Sequence, residues 1–509
     1  MKKIFLFIIL SFNLLYASAQ DNTAVYNKYF PLPDKNIPFP ILTKESKSYY
    51  TGYNDVIKYI HSLAEKNAEI ITIGSIGSSQ KGRDVPSVTF NKKSKIADAD
   101  KIRMALIGCM HGNEPITTDG MLYVMHELME NPSYANLLDN IILCIYPIVN
   151  PDGHEADTRA TNNGTDLNRD LAILEAPESF NLKNAINSFD PHIVIDFHEY
   201  APDRKNFREI DKCLTSSYDA LFLHTGNLNV DPAIRKVIEN DFVNPTKKIL
   251  EENHRKIEEY SVATEKNNEV VLTIGGTASR SSATNYALQN RISLLMEIRG
   301  LSEKGNVCKR RIETDFLAAI SYIKIAGQKA ADLKAVIAEA NKRSIRADRD
   351  IVVTSKSKAE IYPFTFVDKC ANAYKTVDFN ASNNNVQTPE ITRSRPEAYL
   401  ILSVDEKVKR VLVASGIEFS EIKNQTILSL EAYQLNAGSY QLVNQETTIG
   451  KGAIVINMHQ KMGNTIADLL EPEGNNSLIG NDLLKLLNGS DHNLYRITKN
   501  QMIQLQNKN

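Results

Sequence analysis

His111-Gly112-Asn113-Glu114 places an imidazole and a carboxylate three residues apart, directly after the apolar run Met104–Cys109. Where a strand turns into a helix, side chains at i and i+3 can aim at one point. With a second imidazole from elsewhere they make a His2Glu zinc site with one position open for water. The best candidate for that imidazole is His198, which closes the apolar run Ile193–Phe197. Ligands in open α/β sheets collect at the carboxyl ends of strands, where both histidines fall. A lone H-x-x-E arises often by chance and needs company. His61, His126 and His254 occupy ordinary helix positions and His192 precedes a strand, so none of them marks a rival site.

Two further features supply the company. Arg159 to Arg169 packs two arginines, Asp166 and Asn168 into one polar loop. Arginine presents a planar fork suited to a carboxylate, and an asparagine beside it adds a neutral donor. Such groups are what recognition of a peptide's terminal carboxylate requires. Glu297 lies within the apolar run Ile292–Ile298. A carboxylate there is costly without a partner or a task. It reads either as an ion-pair partner of Arg299 or another arginine, or as a general base facing activated water.

The elements that must position these residues alternate. Tyr53–Asn67 reads as a helix with Val56, Ile57, Ile60 and Leu63 on one face. Ile70–Ile76 and Val85–Phe90 read as strands joined by a polar turn, and Met104–Cys109 as a compact strand. A helix begins near Asn113-Glu114-Pro115, with Asn113 as its expected cap. Ile141–Val149 is a strand closed by the turn Asn150–Gly153. Ile193–Phe197 and Ile292–Ile298 are continuous apolar runs, as buried strands are. This alternation predicts an α/β domain with a mixed, largely parallel sheet flanked by helices. Near Ile325–Lys342 runs an Ala/Lys-rich helix, after which short Val-, Ile-, Thr- and Tyr-rich runs predict a second, smaller β-rich domain. The expected division is residues 1–19, 20–340 and 350–509.

The chain has 509 residues, 24% charged and 42% hydrophobic, with a formal net charge of −2. That is the composition of an ordinary globular protein, and no basic stripe points to nucleic acid. Lys2-Lys3, the apolar stretch Ile4–Tyr16 and Ala17-Ser18-Ala19 form a secretory leader with cleavage expected before Gln20. The expected location is secreted or periplasmic, with no stable membrane insertion once the leader is removed. Five cysteines make no disulfide framework, and Cys109 and Cys144 read as buried thiols.

In chain order, the H-x-x-E, Arg159, the G-x-D-x-N-R of residues 164–169, His198 and the E-x-R of residues 297–299 resemble the zinc carboxypeptidase family. That family contains pancreatic carboxypeptidase A and the regulatory carboxypeptidases. Ile76–Arg83 is similar to an early strand-turn of the same family, and the resemblance spans about residues 50 to 325. It implies one zinc per chain on His111, Glu114 and His198, and hydrolysis that releases C-terminal residues from a peptide with a free carboxylate. Asp166 would accept a hydrogen bond from His111. Arg159 would polarise the scissile carbonyl, Asn168 and Arg169 would hold the terminal carboxylate, and Glu297 would serve as base and then acid. The chain departs from the pattern in a shorter Glu114-to-His198 stretch and in the family's substrate-capping tyrosine. Tyr286 is the nearest candidate but lies too close to Glu297, and it reads better as a core or surface residue. Arg280 and Ser281–Thr284 fall in the specificity stretch, where Arg280 would favour acidic side chains. The C-terminal part, with Arg395–Tyr399 and Leu469–Glu473, looks like the extension of some bacterial members. Three rival functions stand beside this one: a periplasmic peptidoglycan stem-peptide carboxypeptidase or amidase, an acyl-amino-acid deacylase, and an inactive binding protein. The last is disfavoured because every ligand and the base are kept.

Overall fold

The computed structural model describes residues 24–43, 48–301, 307–347, 349–436, 438–485 and 493–508. The expected leader and its cleavage site lie outside them. In chain order the strands are β1 (Ile71–Ser78), β2 (Asp84–Phe90), β3 (Ile102–Ile107), β4 (Ile141–Tyr146), β5 (Ile193–Tyr200), β6 (Leu214–Ser216), β7 (Ala220–Leu223), β8 (Ile257–Glu259), β9 (Ser261–Lys266), β10 (Glu269–Ile274) and β11 (Ile292–Arg299). Eight of them form one sheet in the order β1-β2-β4-β3-β5-β11-β7-β8. The central strands β4, β3, β5 and β11 run parallel, and β1, β2 and β7 add antiparallel pairings around them.

The continuous apolar runs are explained by burial on both faces. Ile193, Ile195 and Phe197 of β5 join Met104 and Leu106 of β3 in one core, covered by the helices Ile116–Glu130 and Cys308–Gln328. Val194 joins Ala105 and Ile107 on the other face, under the helix Pro177–Phe189. Alternation along β5 therefore puts Asp196 and His198 on the face of Val194. Parallel pairing sets Glu297 of β11 opposite His198, so both side chains leave the sheet on the same side.

Three local expectations are corrected. The Ala/Lys-rich stretch is two helices, Cys308–Gln328 and Ala330–Arg346, separated at Lys329. The first is buried over most of its length, whereas the second buries only Leu333, Ile337, Ala340 and Ser344, so the chain must change direction between them. Asn113 does not cap the helix it precedes; the cap position is Pro115, and Glu199 Oε2 accepts from the N–H of Ile116 at 3.4 Å. Asn150–Gly153 is the start of a short helix, Pro151–Ala156, capped by Asn150 through the Gly153 N–H at 2.9 Å.

Beyond Arg346 the chain makes a long hairpin, β12 (Ile351–Asp368) and β13 (Ala373–Arg393). This hairpin joins β6, β10 and β9 in a five-stranded sheet, pairing Phe366 with Ser216 and Leu272 with Ala381. Residues 351–393 are thus knitted into strands from the first part of the chain. A disulfide, Cys213–Cys370, closes the same junction over a sequence separation of 157. In the chain-entropy view a loop of that length is worth about 5 kcal/mol. Cys109, Cys144 and Cys308 are buried free thiols. In β13 the pairing with β12 slips between Asn383 and Gln387, leaving residues 384–386 bulged. The bulge drives Asn384 against Gly226, where a Cβ would overlap the Asn384 carbonyl oxygen.

From Ala398 onward a separate six-stranded sheet forms, containing β14 (Ala398–Ile401), β15 (Ser420–Glu421), β16 (Thr426–Asn436), β17 (Ser439–Ile449), β18 (Ile454–Asn457) and β19 (Leu494–Ile497). Its core takes in Ala172, Leu174 and Ile351 from upstream. Among the described residues no helix is long and apolar enough to cross a membrane.

Behind the central sheet, Asp119, Glu199 and Asp315 are buried around the one guanidinium of Arg311, which pairs with Glu199. Both Asp315 oxygens lack a hydrogen-bond partner among the described residues. Burial, reinforced by Glu199, pushes the Asp315 carboxyl well above the usual carboxylate range. Below pH ~4 the group is protonated in folded and unfolded chains alike. At higher pH the unfolded chain ionises while the folded one keeps its proton, so stability falls as pH rises. Asp315→Asn removes this penalty. Thermal melts should show the variant matching the parent near pH 4 and exceeding it at pH 8; a variant that melts lower at pH 8 would contradict the assignment.

Candidate functional site

The strand β3 ends at Ile107, and the chain turns through Gly108–Pro115 into the helix Ile116–Glu130. The turn is tight: Glu114 N donates to His111 O at 3.1 Å, and Thr117 Oγ1 to Glu114 O at 2.8 Å. Gly112 lies against the backbone of Gly153 and His154 so closely that any Cβ would overlap it. This contact explains the glycine of H-G-N-E. The turn carries His111 and Glu114 to the end of β5, where His198 projects from the sheet.

The three side chains converge and are buried. His111 Nδ1 lies 2.9 Å from Glu114 Oε1 and 2.9 Å from His198 Nδ1, and His198 Nδ1 lies 2.9 Å from Glu114 Oε2. The outer ring nitrogens face carboxylates: His111 Nε2 is 2.9 Å from Asp166 Oδ1, and His198 Nε2 is 2.9 Å from Asp196 Oδ2. An ionised carboxylate only accepts, so each Nε2 takes the proton and each Nδ1 presents a lone pair inward. Two lone pairs and a carboxylate crowded at one buried point fit a divalent cation that prefers nitrogen and oxygen, as zinc does. With the two imidazoles protonated instead, burial would raise the Glu114 carboxyl, but their charge would outweigh it and hold the group well below its usual range.

The polar loop docks beside these groups. Arg159 donates from Nη1 to Glu114 Oε1 at 3.1 Å and from Nε to Asp166 Oδ2 at 2.9 Å. Asp166 also caps the short turn Leu167–Arg169 through the Asn168 N–H at 3.0 Å. Asn168 is buried, and its Oδ1 accepts from Ser282 N at 2.9 Å. That bond fixes the amide, leaving the NH2 end to be offered elsewhere. Arg169 is exposed and donates Nη1 to its neighbour's carbonyl, Asn168 O, at 2.8 Å.

Glu297 forms no hydrogen bond or ion pair among the described residues. Arg299, its expected structural partner, instead donates to Ser216 O and to Thr215 Oγ1. Burial raises the Glu297 carboxyl above its usual range and Glu114 adds to the shift. His111, Glu114, Arg159, Asn168, Arg169 and Glu297 all line one cleft of about 400 Å³.

Residues 56–207, which hold the H-x-x-E turn, the polar loop and His198, match the model of the zinc carboxypeptidase family. The match covers under a third of the chain and makes that segment similar to zinc carboxypeptidases. Together with the relatives below it supports a metallocarboxypeptidase, a hydrolase. Carboxypeptidase 2 of Trichophyton rubrum is 24% identical over 459 residues, covering 86% of this chain and 85% of that protein. Carboxypeptidase Z of Gallus gallus is 30% identical over 129 residues, 24% of this chain and 20% of that one. Among solved structures, thrombin activatable fibrinolysis inhibitor aligns with a TM-score of 0.41 at 17% identity, covering 57% of this chain and 75% of the other.

The cleft contains residues that the motifs did not reveal. Asp196 orients His198 and is itself held by Ser282 Oγ at 2.6 Å. Its signal, an Asp two residues before a strand histidine and therefore on the same face, was present in Asp196-Phe197-His198. Tyr260 lines the cleft, and burial, then the nearby Glu297 charge, push its phenol up to about 12. Nothing in Glu258-Glu259-Tyr260-Ser261 distinguishes it in sequence. Tyr286 is buried in a core with Val194 and Leu171, which excludes it from contact with substrate. Asn384, from the hairpin bulge, and Arg204 are further additions to the lining.

Partners of metal-binding histidines set ring orientation and basicity, and losing one costs about 10–100-fold in metal affinity. Asp196→Asn should weaken zinc binding by that factor in chelator competition while far-UV circular dichroism stays unchanged. Unchanged affinity would remove Asp196 from the site.

Proposed function

We propose that the chain is an exported metallocarboxypeptidase that holds one zinc on His111, Glu114 and His198 and releases residues from peptides with a free C-terminal carboxylate. The observation that carries this reading is the convergence of two inward Nδ1 atoms and the Glu114 carboxylate at the floor of a cleft lined by His111, Glu114, Glu297, Asn168 and Arg169, with His198 buried behind it. A zinc ion held there supplies an electrophile and brings the pKa of a water down to about 7.

The chain's own residues do the rest. Asn168 and Arg169 bind the terminal carboxylate, Arg169 through two parallel donors, and so fix which peptide bond enters. Arg159, anchored by Asp166, leans over the scissile carbonyl and stabilises the charge that develops on its oxygen. Glu297 accepts the proton of the attacking water and delivers it to the nitrogen of the departing amine. Its freedom from any structural partner suits that task. Asp166 and Asp196 keep the two imidazoles in one tautomer and orientation. Export is supported by the basic–apolar–small start of the sequence and by the Cys213–Cys370 bridge, which suits an oxidising compartment.

Glu297→Gln preserves size while removing the base. The zinc-loaded variant should retain metal and peptide affinity but lose about 10²–10⁴-fold in kcat. Near-parental turnover would return Glu297 to a structural role. Peptides with amidated C-termini should be spared by the parent enzyme, and Arg169→Ala should raise KM for free-carboxylate peptides. Equal cleavage of amidated and free peptides would indicate an endopeptidase or amidase instead.

A further inference from the structure

Between the end of β10 at Ile274 and the short helix Ser282–Ala287 the chain lies in no strand or helix, yet Thr277, Ala278, Arg280 and Ser281 line the cleft. Such a strap has no ladder of its own, so its shape depends on what grips it from outside. Its entry is gripped by the loop after β7: Gly226 N donates to Gly276 O at 3.0 Å, and Asn227 Nδ2 to Thr277 O at 3.0 Å. Its exit is gripped at Ser282, which donates its N–H to Asn168 Oδ1 at 2.9 Å and its hydroxyl to Asp196 Oδ2 at 2.6 Å. The middle is gripped at Ser279.

Ser279 is buried, and its carbonyl accepts from Asn285 Nδ2 at 2.6 Å. Its hydroxyl donates to Asp468 Oδ2, from a residue 189 positions away in sequence. Asp468 sits on the helix Gly463–Leu470, which packs Ile466, Leu469 and Leu470 into the core of the C-terminal sheet with Tyr399, Ile401 and Ile456. One hydrogen bond therefore runs from that sheet to the strap. Burial pushes the Asp468 carboxyl up to about 6; the Ser279 hydroxyl opposes the shift first and Lys183 second. Lys183 is itself buried and donates to Leu171 O at 2.8 Å, which leaves the serine hydroxyl as the donor to the carboxylate. A hydrogen bond to an ionised group is stronger than one between neutral groups, and a buried hydroxyl that loses its acceptor is costly. Asp468 lines a neighbouring polar cavity rather than the cleft, so it reaches substrate only through Ser279.

We propose that Asp468 is a positioning residue for the hydrolysis: through Ser279 it holds the strap of residues 277–281 in the shape that receives substrate, which makes the C-terminal sheet part of the working enzyme. The inference rests on the C-terminal release argued above and gives the C-terminal region a task in it. Glu297 and His198 are register partners on β11 and β5, so their separation does not depend on the strap. Losing the grip on Ser279 loosens substrate binding and spares the bond-breaking step.

The test uses the zinc-loaded full chain and free-carboxylate peptides ending in Leu, Phe, Glu or Lys, with kcat and KM measured separately on the one cleaved best. Asp468→Ala should raise KM by about 10-fold, within the ~100-fold that a misplacement of about 1 Å can cost, while kcat and zinc content hold. Ser279→Ala should do the same. The double variant should be no worse than either single one, because both remove the same bond. Asp468→Asn keeps an oxygen that accepts from Ser279 and should recover most of the parental KM. Hydrogen exchange reads the strap without turnover: in Asp468→Ala the amides of residues 277–281 should exchange faster while those of β5 and β11 stay protected. A lowered melting temperature with parental KM and parental exchange in the strap overturns the proposal, since Asp468 would then serve folding alone. KM increases that multiply in the double variant overturn it as well. Release from none of the peptides overturns the carboxypeptidase reading, and the exchange experiment then still decides whether Asp468 holds the strap.

Discussion

Two imidazole lone pairs and a carboxylate aimed at one buried point create a demand for positive charge, and the surrounding structure is arranged around that demand. Buried acceptors without a donor are costly. The outer nitrogens of His111 and His198 satisfy theirs on Asp166 and Asp196, which locks the inner nitrogens as acceptors. Asp166 is in turn held by Arg159, and Asp196 by Ser282. Ser282 also donates its N–H to Asn168. One chain of contacts therefore runs from the proposed metal ligands to the groups proposed to grip substrate. A change in ring orientation would be felt at Asn168 through this chain.

The sheet makes the convergence rigid. His198 and Glu297 are register partners on parallel neighbours, so their separation is fixed by backbone hydrogen bonds rather than by side-chain choice. A slip of one residue between β5 and β11 would send Glu297 to the opposite face. The buried apolar runs on both faces of both strands forbid it, since every neighbour would exchange core for core of different shape.

What could be read from sequence was what is local. The H-x-x-E turn, the loop 159–169 and the apolar runs around His198 and Glu297 each declare themselves within a dozen residues, and the structure brings them into one cleft. The strand assignments succeeded for the same reason, because burial on both faces leaves an unbroken apolar run. Contributions made at long range stayed hidden. Tyr260, Arg204 and Asn384 reach the cleft only because β9, β10 and β13 pair far from their sequence neighbours. The break at Lys329 was only faintly marked: Gly327 precedes it, but a single glycine is tolerated within helices, and tertiary packing decides the turn. The change of texture near residue 350 is a real change to β structure. It does not mark where contacts with the upstream chain cease, since β12 and β13 pair with β6 and β10.

The bulge at residues 384–386 ties the cleft to the order of synthesis. Every group proposed for chemistry lies between His111 and Glu297, yet part of the wall is Asn384, seated against Gly226. A ribosome that has delivered Glu297 has still to deliver 87 residues to reach Asn384 before that wall can close. Domains fold as units in the order they emerge, so a chain in transit carries its reactive groups beside an open flank. The hairpin acts as a late-arriving door panel: the cleft acquires its final shape only after the strands that follow the catalytic region have paired back onto it.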